Sequence, residues 1–383
     1  MGDRIDILVR AAGMADEMVA RLRMLVECES PSNSPRGLEE CAQLMAPWLE
    51  GALRRPVRIV REGENLHLLA AASEPRALLL GHFDTVWPTG TIADWPFSIA
   101  DGIASGPGVF DMKAGIVQMI AAIDLLPDPS AVSVLLTSDE EVGSRSSRAL
   151  IEQQAHAAGA VLVCEPSADG GAVKVGRKGI ANYRVNIIGR AAHSGLEPML
   201  GVNAGVELAH QILAIAAIGE SETTVTPTVL TAGTTVNTVP EYASCAVDVR
   251  AWTNAELMRV DTAISRLSPH LDGARVEVTG GVERPPFEPA TAAALNAMIE
   301  AAAADLGLQL PGAARSAGGS DGNLTAALGI PTLDGLGAVG AHPHGRGERV
   351  ELASMGPRAA LLAALVGRVI DSSPLSQSSA TMA

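Results

Sequence analysis

The sequence predicts an α/β chain: a mainly parallel sheet with helical cover, interrupted by an inserted βαββαβ unit of ferredoxin-like type. Three observations predict it. Short continuous apolar runs alternate with helical stretches in the first half, as expected of parallel strands buried on both faces. From about residue 180 to 280 the order becomes strand, helix, strand, strand, helix, strand. A helical pattern like that of the first domain then resumes at Thr291–Leu306, so the middle reads as an insertion.

Taken in order, residues 12–25 and 37–53 carry apolar residues at helical spacing, and 57–61 and 66–71 read as short strands. A repeated pattern follows, in which an apolar run ends in ionisable residues. Ala77-Leu78-Leu79-Leu80 runs into Gly81-His82-Phe83-Asp84. Val132-Ser133-Val134-Leu135-Leu136 runs into Thr137-Ser138-Asp139-Glu140-Glu141. Ala160-Val161-Leu162-Val163-Cys164 runs into Glu165-Pro166. Helices are expected at Lys113–Leu126 and Ser146–Ala157. In the middle of the chain, Ile180–Ile188, 225–232, 242–251 and 274–280 read as strands, with helices over 201–217 and 254–268. Breaks at Gly176–Gly179 and Arg284–Pro289 divide the chain into a discontinuous domain, residues 1–177 and 291–383, and an inserted domain, residues 178–290. The Ser-rich tail Ser372–Ala383 is expected to fray.

Composition excludes several classes. The 383 residues are 47% hydrophobic, too apolar for a disordered chain. Aromatic residues are 3%, which argues against stacking platforms for single-stranded nucleic acid. Forty-three acidic residues against 28 basic give a net charge of −15, which would repel a phosphate backbone; nucleic acid is excluded as a partner, and the excess reads as solubility. Cys28, Cys41, Cys164 and Cys245 show no CxxC spacing and read as reduced thiols. The N-terminal segment lacks an apolar h-region, and no apolar run reaches the ~20 residues needed to span a bilayer. The expectation is a cytoplasmic protein without membrane contact.

The strand ends carry the chemistry. In parallel sheets ligands bind beyond the carboxyl ends of the strands, and His82, Glu140, Glu141 and Glu165 fall there. Asp111 follows Gly106-Pro107-Gly108-Val109-Phe110 and precedes the helix Met112–Leu126, as an N-cap or first-turn carboxylate. His342 and His344 lie in Gly340-Ala341-His342-Pro343-His344-Gly345. Singly, each has an ordinary explanation: a hydrogen-bonded core histidine, a solvated turn, a helix cap. Gathered at one sheet edge, Asp84, Asp111, Glu140, Glu141 and Glu165 need a counter-charge, and Lys113 alone cannot supply it. A divalent metal can. Mixed histidine and carboxylate ligands suit Zn²⁺, with Mn²⁺ or Co²⁺ possible.

His82-x-Asp84 after an apolar strand, Gly106–Gly115, Thr137–Ser144 and Glu165-Pro166 together resemble the M20 metallopeptidases, most closely their glutamate carboxypeptidase branch. The resemblance runs from about residue 76 to 350. It implies a di-zinc hydrolase whose catalytic domain carries an inserted dimerisation or lid domain. His82 and Glu165 would hold one zinc, Glu141 and His344 the second, and Asp111 would bridge both. Asp84 would orient His82 from behind, and Glu140 would be the general base. His344 is preferred to His342 because His344-Gly-Arg-Gly-Glu348-Arg-Val350 fits the family pattern better. The peptide Asp111–Met112 is expected to be cis.

In the inserted domain, Gly189–Gly195 resembles the segment whose histidine, here His193, reaches the partner subunit's site and stabilises an oxyanion, implying a homodimer. Asn237 and Arg250 would hold the substrate's terminal carboxylate. Gly318, Gly319 and Ser320 resemble a loop lining the substrate pocket, and the helix that follows could bind a carboxylate at its start. Arg177 and Lys178 could attract a second acidic group. His67, His156, His210 and His270 are expected to be structural, and Ala114 stands where the family often has glycine.

The implied activity is cleavage of an amide next to a free carboxylate in a small molecule or short peptide. It is either release of a C-terminal glutamate or deacylation of an N-acyl amino acid, as in aminoacylase or acetylornithine deacetylase. A non-catalytic metal-stabilised binding protein would be marked by loss of the base, and Glu140 is present. A nucleotide-binding α/β protein would need GxGxxG or GxxxxGK[ST], and neither follows the first strand.

Overall fold

A computed structural model describes residues 2–309 and 312–375. It separates into two compact units, Met1–Gly176 with Glu288–Ser316 and Ser320–Ala383, and Arg177–Phe287 with Ala317–Gly319. The passage of 317–319 into the second unit was not foreseen from sequence.

The first unit is built on a six-stranded sheet ordered Arg58–Glu62, Asn65–Ala70, Val132–Thr137, Ala77–His82, Val161–Val163, Thr332–Leu333. The first two form an antiparallel hairpin and the last four run parallel. The apolar runs dictate this arrangement. Leu78, Leu79 and Leu80 are all inaccessible, and burying each contributes roughly 1.5–3 kcal/mol. Alternation divides them between two layers. Leu78 and Leu80 face Ile151 and Ala155 of helix Arg148–Ala158, together with Leu324. Helix Ala114–Leu125, apolar nearly all round, packs against helices Pro35–Leu53 and Leu352–Asp371.

Several elements depart from the sequence expectations. The helix expected at 12–25 runs over Ala15–Glu27, and a separate helix, Gly2–Gly13, precedes it. Asp111 is not a helix cap: Val109–Lys113 forms a π-type turn in which Asp111 is extended (φ −113°, ψ 98°), and the helix proper starts at Ala114. The Asp111–Met112 peptide is cis. Four strands of two or three residues, Ser98–Ala100, Ile103–Ser105, Gly340–Ala341 and Arg349–Glu351, form a small antiparallel sheet too short to announce itself by periodicity. Helix Leu352–Asp371 is long and apolar enough to cross a membrane by length and composition, contrary to the reading that no such stretch exists. Its contacts are those of a core helix: it packs on Gly2–Gly13, Ala114–Leu125 and Ala293–Leu306. The buried Arg358 within it donates to the carbonyls of Gly171, Gly335 and Gly337. Of the tail expected to fray, residues 376–383 lie outside the described residues.

The second unit is a four-stranded antiparallel sheet ordered Thr224–Ala232, Tyr242–Ala251, Gly179–Ile188, Arg275–Arg284. Helices Ala204–Ala216 and Asn254–Ser265 pack on one face, over alternate residues Ala181, Tyr183, Val185, Ile187, Val247 and Val249. Their starts are fixed by side-chain caps: Asn203 accepts from the amides of Gly205 and Val206, and Thr253 from that of Glu256. This connectivity and strand order are those of a ferredoxin-like unit.

Candidate metal centre

Three parallel strands and one hairpin of the first unit deliver the ionisable residues to a single edge. His82 ends strand Ala77–His82, Glu140 and Glu141 open the short turn after Val132–Thr137, and Glu165 follows Val161–Val163. His344 lies in the turn between Gly340–Ala341 and Arg349–Glu351. Asp111 sits between two histidines: its Oδ1 is 3.3 Å from His82 Nε2 and its Oδ2 3.4 Å from His344 Nε2. His82 Nε2 also lies 3.4 Å from Glu165 Oε1, and His344 Nε2 3.2 Å from Glu141 Oε1. Two groups of three result, His82–Asp111–Glu165 and Asp111–Glu141–His344, with ligand atoms in each group within 4.8 Å of one another. Asp111 belongs to both. His342 belongs to neither and is exposed.

The donor chemistry fits divalent metal. Each group offers one imidazole nitrogen and two carboxylate oxygens, a set that suits Zn²⁺ and its first-row neighbours. His82 Nδ1 lies 3.1 Å from the Asp84 carbonyl and 3.4 Å from Asp84 Oδ1. Nδ1 therefore holds its proton toward Asp84, and Nε2, directed at Asp111 and Glu165, is the nitrogen that a metal would take on displacing its proton. Asp84 is inaccessible and does more than orient His82. Its Oδ1 accepts from the Glu140 amide at 3.2 Å; its Oδ2 accepts from the Glu141 amide at 3.2 Å and from Ser32 Oγ at 2.7 Å. One buried carboxylate thus fixes the first histidine and the backbone of both glutamates.

The charges are strongly coupled. Burial alone would lower His82, yet hydrogen bonds to Asp111, Asp84 and Glu165 hold it well above the ordinary histidine value. His344 is pushed up to about 11 by its bonds to Asp111 and Glu141. Burial would raise Asp111, but His344 and His82 hold it well below the carboxylate range. Burial raises Glu141 against the opposing effect of His344. Lys113, the one nearby cation foreseen, turns away: its buried Nζ donates to the Cys28 carbonyl at 2.9 Å.

Two residues of the site were given no role by the sequence reading. Ser32 reaches Asp84 from the loop before helix Pro35–Leu53. Glu348, inaccessible, accepts from the amides of Gly108, Phe110 and Asp111 and from Trp87 Nε1. The sequence reading used it only as the acidic residue of the pattern that follows His344. His67 is buried and structural as expected: Nδ1 accepts from the Ser138 amide, and Nε2 lies 3.2 Å from Ser146 Oγ, which donates to Asp139.

The remaining predicted residues lie elsewhere. Ser320 is inaccessible; its hydroxyl accepts from the Gly322 amide and donates to Asp334, and with Asn323 it caps helix Asp321–Ala327. The start of that helix is therefore already served by its own chain and is not an open carboxylate site. Within the second unit, the carbonyls of Gly318 and Gly319 accept from Arg177 Nη1 at 3.1 and 3.2 Å. Arg177 and Lys178 are buried and engaged, Lys178 with the Glu222 carbonyl and the Trp252 ring, so they are not solvated hinge charges offered to an acidic group. His193 and Asn237 are brought side by side, both exposed, through the bridge His193–Thr238 and the bond from Ser194 N to Asn237 O at 3.0 Å. His193 Nδ1 accepts from the amides of Gly195 and Leu196, each at 3.1 Å, which leaves Nε2 to carry the proton. Arg250 forms a forked pair with Asp248 on the same strand.

A largely parallel sheet whose strand ends bring two histidine–carboxylate groups together on a shared aspartate defines a candidate dinuclear metal site. The family model described as Peptidase family M20/M25/M40 matches residues 78–368, and the chain belongs to that family. It is 33% identical over 309 residues to carboxypeptidase G2 of Pseudomonas sp. (strain RS-16), covering 76% of this chain and 72% of that protein. It is 29% identical over 342 residues to succinyl-diaminopimelate desuccinylase of Caulobacter sp. (strain K31), covering 80% and 84%. Among solved structures, the aminopeptidase PepT of Bacillus cereus superposes with a TM-score of 0.73 at 24% identity, over 93% of this chain and 99% of that one. A dinuclear metal-binding peptidase of the M20 family from Bacillus subtilis gives 0.64 at 18% identity, over 94% and 98%. The α/β fold is that of the family.

Proposed function

We propose that the chain is a di-metal carboxypeptidase that releases a C-terminal glutamate-type residue by hydrolysing the amide next to its free carboxylate. The observation that carries this reading is Asp111, shared between two histidine–carboxylate groups. The sequence identity to carboxypeptidase G2 points to the substrate class. His82, Asp111 and Glu165 would hold one ion and Asp111, Glu141 and His344 the other, with Zn²⁺ as the native metal. When bound, the pair supplies Lewis-acid polarisation of the scissile carbonyl and a water of lowered pKa.

The protein's own residues supply the rest. Glu140 takes the proton of the attacking water and hands it to the leaving nitrogen; its backbone is held for this task by Asp84. His193 donates Nε2–H to the developing oxyanion, a role for which its Nδ1 bonds preset the tautomer. Asn237 and Arg250 take the substrate carboxylate; the Nε–Nη2 edge of Arg250 is used by Asp248, so the Nη1–Nη2 edge would face the substrate. Gly318, Gly319 and Ser320 would form the pocket-lining loop of this reading. Residues 178–290 would act as the lid and dimerisation domain of the discontinuous catalytic domain, 1–177 and 291–383. A homodimer is supported by the uncovered edge strand Thr224–Ala232, which exposes Val229 and Leu230 beside helix Ala204–Ala216, where Leu213 is 72% exposed. We place the enzyme in the cytoplasm, in keeping with its four free cysteines.

A second reading, deacylation of an N-acyl amino acid, is favoured by the identity to succinyl-diaminopimelate desuccinylase. A panel of folyl-glutamate, N-acetyl and N-succinyl amino acids and dipeptides, assayed with added Zn²⁺, separates the two. Turnover confined to acyl amino acids would overturn the carboxypeptidase assignment.

A further inference from the structure

We infer that Glu348 is a positioning residue that sets the spacing of the second metal group, Asp111–Glu141–His344; the inference rests on the di-metal reading above. Two segments of that group meet at this residue, one at its carboxylate and one at its backbone. Oε1 accepts from the amides of Phe110 at 2.8 Å and Asp111 at 3.0 Å, and Oε2 from the amide of Gly108 at 3.0 Å and from Trp87 Nε1 at 2.9 Å. Glu348 thereby holds three amides of the turn that presents Asp111. It also closes the turn that presents His344, because its own amide donates to the Gly345 carbonyl at 2.8 Å and Gly345 N donates to His342 O at 3.2 Å. The next residue, Arg349, enters the strand paired with Ile103–Ser105. Ser105 Oγ donates to the Glu348 carbonyl at 2.9 Å, which ties the same residue to the approach of the Asp111 turn. The 3.4 Å approach of His344 Nε2 to Asp111 Oδ2 is therefore fixed through one inaccessible side chain. Glu348 meets the ligand residue Asp111 only at its backbone amide. It meets four N–H donors, and only a carboxylate offers acceptors on both oxygens.

The chemistry of the pocket dictates the test. In Glu348→Gln the side-chain oxygen can keep Phe110 and Asp111, but the NH₂ then confronts the Gly108 amide and the Trp87 indole, donor against donor. Trp87→Phe removes one of those confronting donors. Wild type, E348Q and the double variant W87F/E348Q are titrated with Zn²⁺ against a chromophoric chelator, with circular dichroism and a thermal melt to verify folding. We expect wild type to bind two ions. E348Q should bind one of the two ions 10–100-fold less tightly, the range for losing an outer partner of a ligand. Binding of the other ion should change less, and W87F/E348Q should recover part of the loss. A residue that merely supports the fold would lower the melting temperature without separating the two ions. Should E348Q not fold, Glu348→Asp, whose shorter carboxylate cannot span both donor pairs, is titrated in its place, with at least a 3-fold loss expected at the same ion. Two ions bound by the substituted protein with wild-type affinities would overturn the inference and leave the di-metal reading standing. Wild type binding fewer than two ions would overturn both.

Discussion

Replacing Asp84 by asparagine changes one oxygen to an NH₂ at a place where the neighbours donate. Oδ1 faces His82 Nδ1 at 3.4 Å and the Glu140 amide at 3.2 Å; Oδ2 faces Ser32 Oγ at 2.7 Å and the Glu141 amide at 3.2 Å. The Ser32 hydroxyl can rotate to accept, but a backbone amide cannot. The less costly orientation puts the NH₂ toward Ser32 and Glu141, leaving the Glu141 amide unpaired in a buried setting at about 1–3 kcal/mol. The opposite orientation makes the NH₂ donate to His82 Nδ1, which moves the imidazole proton to Nε2 and removes the lone pair that faces Asp111 and Glu165. Either way one metal group suffers, and a 10–100-fold loss of metal affinity is expected. That range corresponds to about 1.4–2.8 kcal/mol, in line with one unpaired buried amide. Zn²⁺ titration of D84N beside hydrolysis of an N-acyl glutamate measures both effects. A folded D84N with wild-type zinc affinity and turnover refutes the reasoning.

Four other outcomes are expected. Glu140→Ala should keep both metals while turnover falls ~10²-fold or more, the size of general-base effects; full activity would remove Glu140 from the mechanism. His193→Ala should lower turnover with metal content unchanged, and an unaffected variant would dismiss its oxyanion role. After chelation, bonding to Asp111 and Glu141 holds His344 at about 11. Its stabilisation is complete below the unfolded value of ~6.5 and is lost as pH climbs toward 11. The chelated protein should therefore melt at lower temperature across that interval, and loading Zn²⁺ in weak buffer at pH 7 should release protons; a melting temperature that does not fall with pH and a silent proton balance would contradict the coupling. Gly115→Ala drives a Cβ onto the Cys164 carbonyl, beside Glu165. Overpacking of that kind costs about 1–3 kcal/mol and is read from a thermal melt, which an unstrained site would leave unchanged.

The residues differ in how openly the sequence displays them. Leu78–Leu80 and Val132–Leu136 are legible as buried parallel strands because continuous apolar runs admit few alternatives, and they place His82 and the Glu140–Glu141 turn at one edge without further information. The Ala114–Gly115 pair is legible only afterwards: Ala114 fits its buried place, whereas Gly115 is required by the Cys164 carbonyl. The roles of Ser32 and Glu348 stayed hidden because they depend on which groups the fold aims at them, the Asp84 carboxylate for Ser32 and three amides for Glu348, and no spacing encodes that. Ser320 and Arg177 misled in the other direction. Each looks available in sequence, yet a cap with Asp334 and the carbonyls of Gly318 and Gly319 engage them. Asp111 looked like a cap because a helix follows it, whereas the turn Val109–Lys113 holds it in an extended conformation instead.

The insertion between Glu165 and His344 imposes an order on assembly during synthesis. His82, Asp111 and Glu165 leave the ribosome together, whereas His344 follows about 180 residues later, roughly ten to forty seconds at ~5–20 residues per second. Strand Thr332–Leu333, which pairs with Val161–Val163 in the main sheet, is equally late. On the proposed ligand assignment, a nascent chain would therefore hold all of His82, Asp111 and Glu165 well before His344 exists to complete the group Asp111–Glu141–His344.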